Sequence, residues 1–283
     1  MQHRDYMFTS AMPINETPES QQTMTQSTQS LINLSGKKGL VLGLANEHSI
    51  AWGCAQLAHH LGAQLITTCL NEKAKTYVSP LTDPLNIPLY PLNIEDGAAL
   101  ENFVKEAAQA LGHFDFVIHS IAWAPLEDLH GTVIDSSSVG FARAMEVSCH
   151  SFATLAKLTK PYMPQGGSLI TMTYLGADEA VPHYGLMGPV KAALQSLVRY
   201  MAMELGPDNI RVHAVSPGPI MTRAASGIEG FDALMKYSIE KSPLGRLVTL
   251  QEISQLCAFL CSDAASGMTG QTLFVDAGCH AIA

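Results

Sequence analysis

Charge is scarce in this sequence of 283 residues: 14% is Asp, Glu, Lys or Arg, against about a quarter in ordinary soluble proteins. Cations are the scarcer sign, 16 Lys and Arg against 25 Asp and Glu, for a formal net charge of −9. So small a basic complement excludes a protein that holds nucleic acid by neutralising its phosphates. No run of uncharged apolar residues is long enough to span a bilayer, so membrane insertion is not expected. The first 35 residues lack an apolar signal core and carry a single Lys or Arg, Arg4. Neither a secretory signal nor an Arg-rich transit peptide is therefore expected, and the cytoplasm is the expected compartment. The six cysteines (54, 69, 149, 257, 261 and 279) include no CxxC pair and read as buried thiols in a reducing compartment, Cys257 and Cys261 sharing one helix face. The eleven histidines are scattered and His59-His60 has no HExxH context, so no metal is expected.

Apolar residues, in contrast, make up 47%, which excludes a disordered chain and predicts a large core. Residues 1–30 are rich in Gln, Thr, Ser and Met and predict a mobile tail. A working chain that begins near Met24 is the alternative. The ordered domain is expected to run from 34 to 283, with 1–33 as tail. From Leu34 onward, apolar runs alternate with helical patterns. Strands are predicted at 39–43, 64–69, 86–92, 114–119, 168–172, 210–215 and 272–275. Helices are predicted from Ser49, a plausible N-cap, and over 95–111, 138–160 and 184–205. This alternation gives βαβ units and an α/β fold: one domain, a doubly wound parallel seven-stranded sheet with helices on both faces.

Between the first strand and first helix lies Gly43-Leu44-Ala45-Asn46-Glu47-His48-Ser49-Ile50-Ala51-Trp52-Gly53. A cofactor pyrophosphate needs free amides, small residues and a helix N-terminus at this place. The usual GxGxxG is absent, so a structural turn and a nucleotide loop are both open on these residues alone. After the second strand, Thr68-Cys69-Leu70-Asn71-Glu72-Lys73 offers no arginine to a 2′-phosphate, which favours NADH over NADPH, with Lys73 and Lys75 as the residues able to reverse that.

Tyr184 and Lys191 are seven residues apart, two helical turns, and so face one cleft. A lysine there can hold ribose hydroxyls while its charge favours the tyrosine hydrogen bond or tyrosinate character, and the tyrosine can stabilise an oxyanion. Tyr174, ten residues earlier and beyond the fifth strand, can bring a second hydroxyl to the same place. Pro189 falls early in this helix and predicts either regular helix starting near Gly188 or a kink.

Taken together, Tyr174-Leu175-Gly176-Ala177, Tyr184-x-x-Met187-Gly188-x-x-Lys191 and the Gly43–Gly53 segment resemble the enoyl-acyl-carrier-protein reductases, a divergent branch of the short-chain dehydrogenase/reductase superfamily. Other segments resemble the family as well: His119-Ser120-Ile121-Ala122 at the end of the fourth strand, Ser216-Pro217-Gly218-Pro219-Ile220-Met221-Thr222 over the nicotinamide, and Leu260-Cys261-Ser262-Asp263 and Val275-Asp276-Ala277-Gly278 near the C-terminus. The likeness runs from Leu34 to the end of the chain. It implies a Rossmann-like fold and an NADH-dependent reduction of the 2,3-double bond of a trans-2-enoyl thioester carried by acyl-carrier protein. By the same resemblance, Tyr174, Tyr184 and Lys191 are catalytic. The cofactor would be held by Gly43, Ser49, Ile50, Leu70, Asn93, Ile94, Ser120, Ile121, Lys191, Ile220 and Thr222. The substrate would be walled by Ala122, Trp123, Tyr174, Tyr184, Met187, Ile228, Phe231 and Leu234, and the assembly would be a homotetramer. The chain departs from the family at Asn93-Ile94, where an acidic residue often contacts adenine. It departs again at Glu229-Gly230-Phe231-Asp232, where basic residues usually meet the acidic carrier; Lys236 and Lys241 come only later. The alternatives are an enoyl-coenzyme-A reductase, a carbonyl-reducing dehydrogenase, which Tyr174 disfavours, and a nucleotide sensor without turnover.

Overall fold

A computed structural model describes residues 32–222 and 230–282. The described residues all belong to one compact unit, Leu31–Ala283. They include seven parallel strands: β1 Lys38–Leu44, β2 Gln64–Cys69, β3 Leu89–Pro91, β4 Phe116–His119, β5 Gly167–Met172, β6 Ile210–Pro217 and β7 Gln271–Val275. Their order is β3-β2-β1-β4-β5-β6-β7, and every neighbouring pair is parallel. The seven-stranded α/β expectation therefore holds. The chain winds outward in both directions from β1 and β4, which places a crevice between their carboxyl ends.

The helices among the described residues are α1 Ile50–His60, α2 Glu72–Thr82, α3 Gly97–Leu111, α4 Leu126–His130, α5 Ser138–Met145, α6 Ser151–Thr159, α7 Met187–Leu205, α8 Phe231–Lys241 and α9 Leu250–Cys261. Strand side chains alternate between two cores. Leu40 and Leu42 pack with α3, α6 and α7 on one face. Val41 and Leu44 pack with α1 and α9 on the other. A methyl group at Gly53 would come within 2.6 Å of Leu250, so the α1–α9 approach requires glycine there. Cys257 and Cys261 both lie on α9 and are buried, as are the other four thiols.

Several boundaries differ from the sequence expectation. β3 is confined to Leu89–Pro91 because Pro88 and Pro91 have no amide to give a ladder. The helix expected over 138–160 is divided into α5 and α6 by a π-turn at Glu146–His150. The helix expected from Tyr184 starts at Met187, after His183 and Gly185 have adopted positive φ values of 63° and 50°. Pro189 thus falls in the first turn of α7, where no intrahelical amide bond is lost and no kink is needed. Tyr184 lies outside the helix, so a loop rather than two helical turns sets its relation to Lys191. No described helix is long and apolar enough to cross a membrane.

Candidate active site

The carboxyl ends of β1, β4, β5 and β6 surround a cleft of about 190 Å³. Its floor is a close approach between the β1 exit and the β4 exit. Gly43, at φ 101°, lies against the carbonyl of Ser120, and any added Cβ would overlap that oxygen. Only glycine lets the β1 exit pass so close to β4. The chain then enters α1 at Ser49, which occupies the expected N-cap position but does not cap with its side chain. Its hydroxyl instead donates to the carbonyl of Asn46, at 2.7 Å, and closes the 45–49 turn. The first turn of α1 contains no acidic residue. Uncapped amides at a helix N-terminus, beside a glycine that admits close approach, suit the phosphates of a dinucleotide.

On the opposite wall, Lys191 projects from the second turn of α7 and is buried. Its ammonium donates to the carbonyl of Met172 at 2.7 Å, leaving two of its three hydrogens for a ligand. Burial lowers its pKa to about 8, so it is cationic at neutral pH. Tyr174 and Tyr184 meet with ring centroids 4.7 Å apart and planes inclined by 56°. Gly176 makes room for the second ring, because a methyl there would overlap Tyr184. Burial pushes both phenols above their ordinary range. Of the two states the sequence leaves open for Tyr184, desolvation favours the protonated hydroxyl, a donor, over tyrosinate character.

Behind this wall His119 is wholly buried at the end of β4, with Nε2 2.8 Å from the Ser151 hydroxyl and Nδ1 3.1 Å from that of Thr171. Ser151 in turn donates to the carbonyl of Val147, so it accepts from Nε2–H and Thr171 donates to Nδ1. Burial, with the charge of Lys191 nearby, lowers the His119 pKa to about 3. It is a neutral strut and no proton carrier at physiological pH.

The cleft brings together Gly43, Ser49, Ile50, Ser120, Ile121, Lys191, Ile220 and Thr222 from the expected cofactor set, and Ala122, Tyr174, Tyr184, Phe231 and Leu234 from the expected substrate set. Other residues stand apart. Trp123 is not on the cleft wall: its backbone exchanges two hydrogen bonds with Ser148 of the π-turn, and the Arg143 guanidinium covers its ring at 4.3 Å. Met187, the first residue of α7, packs into the core instead. Leu70 is exposed beyond β2. Asn93 turns its side chain onto the amide of Glu95, and Ile94 belongs to the core. These three lie beyond β2 and β3, outside the cleft walls. Ile228 lies outside the described residues. Ala45, Met172 and Thr173 also line the cleft and were not singled out in the sequence. For the last two, the exit of β5 next to Tyr174 was the available signal.

A family model described as enoyl-(acyl carrier protein) reductase matches residues 43–280. The chain is 44% identical over 252 residues to an NADH-dependent enoyl-acyl-carrier-protein reductase of Nostoc, covering 88% of this chain and 98% of that one. It is 40% identical over 255 residues to an NADPH-dependent counterpart of Staphylococcus aureus, covering 89% and 100%. Among solved structures it resembles the Anaplasma phagocytophilum enoyl-acyl-carrier-protein reductase in complex with NAD, with a TM-score of 0.84 and 39% identity, covering 88% of this chain and 95% of that one.

Proposed function

The chain belongs to the enoyl-acyl-carrier-protein reductase family, and from that premise we propose how its residues carry out the family reaction. The protein is an oxidoreductase that reduces the 2,3-double bond of trans-2-enoyl-acyl-carrier-protein thioesters, the last reductive step of fatty-acid elongation. A bound dihydronicotinamide nucleotide supplies the hydride, which goes to C3 of the enoyl group.

As the C3–H bond forms, the π-electron pair moves through C2 to the thioester oxygen. Tyr184 donates its hydrogen bond to that oxygen, where charge develops in the transition state. Its raised pKa suits this role, because a phenol that stays protonated keeps its hydrogen available as charge builds. Lys191 holds the ribose hydroxyls with the two hydrogens that Met172 leaves free. Tyr174 shapes the substrate end or assists delivery of the proton to C2, which completes the saturated thioester. Gly43, Ser49, Ile50, Ser120, Ile121, Ile220 and Thr222 cradle the nucleotide, with Leu70, Asn93 and Ile94 toward the adenosine. Ala122, Phe231 and Leu234 face the acyl chain, and burial there excludes water from the enolate. Trp123 and Met187 are left out of this assignment. The observation that carries the reading is the convergence of Tyr174, Tyr184 and Lys191 on the cleft that Gly43 opens.

NADH is the preferred donor. After β2 the chain offers Leu70 and then Asn71, whose side chain is engaged by the amide of Ala74, and no arginine follows to meet a 2′-phosphate. We assign residues 34–283 as the catalytic domain of a cytoplasmic homotetramer. The test mixes the protein with NADH or NADPH and a trans-2-enoyl thioester on either carrier protein or coenzyme A. Loss of nicotinamide absorbance with formation of the saturated thioester, fastest with NADH and the carrier-bound substrate, is the expected result. Absence of double-bond reduction with every combination overturns the reading.

A further inference from the structure

Lys191 and Gln195 lie one turn apart on α7, so their side chains emerge on the same face. Both are buried, and both reach the segment that leaves β5. Lys191 takes the carbonyl of Met172. The Gln195 amide nitrogen donates to the hydroxyl of Thr173 at 3.3 Å and to the carboxylate of Asp178 at 3.0 Å. Between those two acceptors lie Tyr174 and the 3₁₀ turn Leu175–Ala177. That turn also closes on the helix: a methyl at Gly188 would come within 3.1 Å of the Gly176 carbonyl, and one at Gly176 would overlap the Tyr184 ring. The loop bearing Tyr174 is thus held at both ends by a single amide.

We propose that Gln195, through Asp178 and Thr173, is a positioning residue for the reduction: it sets the Tyr174 loop at a fixed distance from Lys191 and Tyr184. This rests on the reductase reading. The chemistry of the side chain fits the task. A carboxylate and a hydroxyl oxygen both need a donor, and one NH₂ group supplies two hydrogens. A buried amide satisfied in this way has few alternative rotamers, so the loop gains registry with α7. Asp178 is exposed on its other side, which makes it the gentler point at which to break the link.

The full-length protein is compared with Gln195→Met, which keeps side-chain length but loses the donor, with Asp178→Asn, and with the double variant. Turnover of an enoyl thioester is expected to fall about tenfold in Gln195→Met, because small displacements of reacting groups are costly. The NADH dissociation constant should stay within about twofold, since Lys191 keeps its own carbonyl partner. Asp178→Asn should lose less, and the double variant no more than Gln195→Met alone, as expected for one shared link. Hydrogen exchange provides a readout independent of turnover: amides of 175–179 should exchange faster in Gln195→Met, while those of β5 and α7 are unchanged. Unaltered exchange in 175–179, or turnover that falls only in proportion to NADH affinity or folded fraction, overturns the proposal. If the parent protein reduces no enoyl thioester the reductase reading fails, and the exchange result still decides whether Gln195 holds the loop.

Discussion

The sheet carries a cavity at each end, and the two make opposite cases. At the amino ends of β5 and β6 the cavity is bounded by Lys160, Met163, Pro164, Gln165, Gly166 and the 207–210 turn. Its charged residues are Lys160 and Asp208, an ion pair at 2.7 Å with both side chains about half exposed. At the carboxyl ends the cleft holds a buried lysine, a buried phenol and a half-buried one, and an uncapped helix N-terminus. Size does not tell the two apart. What separates the two is desolvation of groups that can move or stabilise charge. Parallel topology explains why such groups collect at one end only. Each of β1 to β6 leads from its carboxyl edge toward a following helix, and the β1–β4 reversal opens space there.

Removing the Tyr184 hydroxyl should have the largest effect. Tyr184→Phe keeps the ring against Gly176 and Tyr174, so the fold and NADH binding are expected to persist. Turnover should drop by about 10²–10³, the usual loss for one donor to a developing oxyanion. Steady-state rates with a trans-2-enoyl thioester measure this directly. A variant that retains full turnover would leave the carboxyl-end cleft with no more chemical claim than the amino-end cavity.

How much of this contrast was legible beforehand follows from what kind of information each feature needs. The strands read clearly because buried parallel strands are nearly continuous apolar runs, as in Val117-Ile118 and Leu169-Ile170. Tyr184, Lys191 and Tyr174 were identifiable because the chemistry resides in their side chains. The start of α7 was misplaced by three residues, since a positive φ at His183 is a tertiary outcome at a residue that ordinarily avoids it. The π-turn at Glu146–His150 was hidden for a related reason: 138–160 keeps a helical pattern throughout, with no glycine or proline at the break. What accompanies the break is the pair of Ser148–Trp123 bonds from another element. The same bonds set the place of Trp123, whose residue type suits a substrate wall while its backbone is engaged by the π-turn. The partner of Lys191 is a main-chain carbonyl, and such an acceptor has no signature in sequence.

A smaller effect sharpens the comparison through pH. Lys191 has its pKa lowered by burial to about 8, so it carries its charge below that value and loses it above. Its attraction for ribose hydroxyls should weaken in the same direction. The NADH dissociation constant is expected to be flat near neutrality and to rise about threefold to tenfold by about pH 9. Fluorescence titration across that interval is the measurement. Lys191→Arg should flatten the rise, because a guanidinium stays charged throughout. A flat profile in the parent protein would separate the buried lysine from cofactor binding.

The smallest effect belongs to the amino-end cavity, and its smallness is the point. Lys160 is held by Asp208 where water screens both, so the pair contributes about 0–1 kcal/mol to stability. The local turns do not depend on it. Gly166 and Asn209 adopt left-handed backbones with φ of 78° and 57°, and Asn209 accepts from the amide of Gly167 while its side chain reaches the Gln165 carbonyl. Lys160→Ala should accordingly leave kcat and KM within error and move the denaturation midpoint very little, in a urea titration run beside the kinetics. A loss of turnover approaching that of Tyr184→Phe, with stability intact, would transfer functional weight to the amino end. It would also mean that groups open to water can matter as much here as groups withdrawn from it, against the desolvation argument that separates the two cavities.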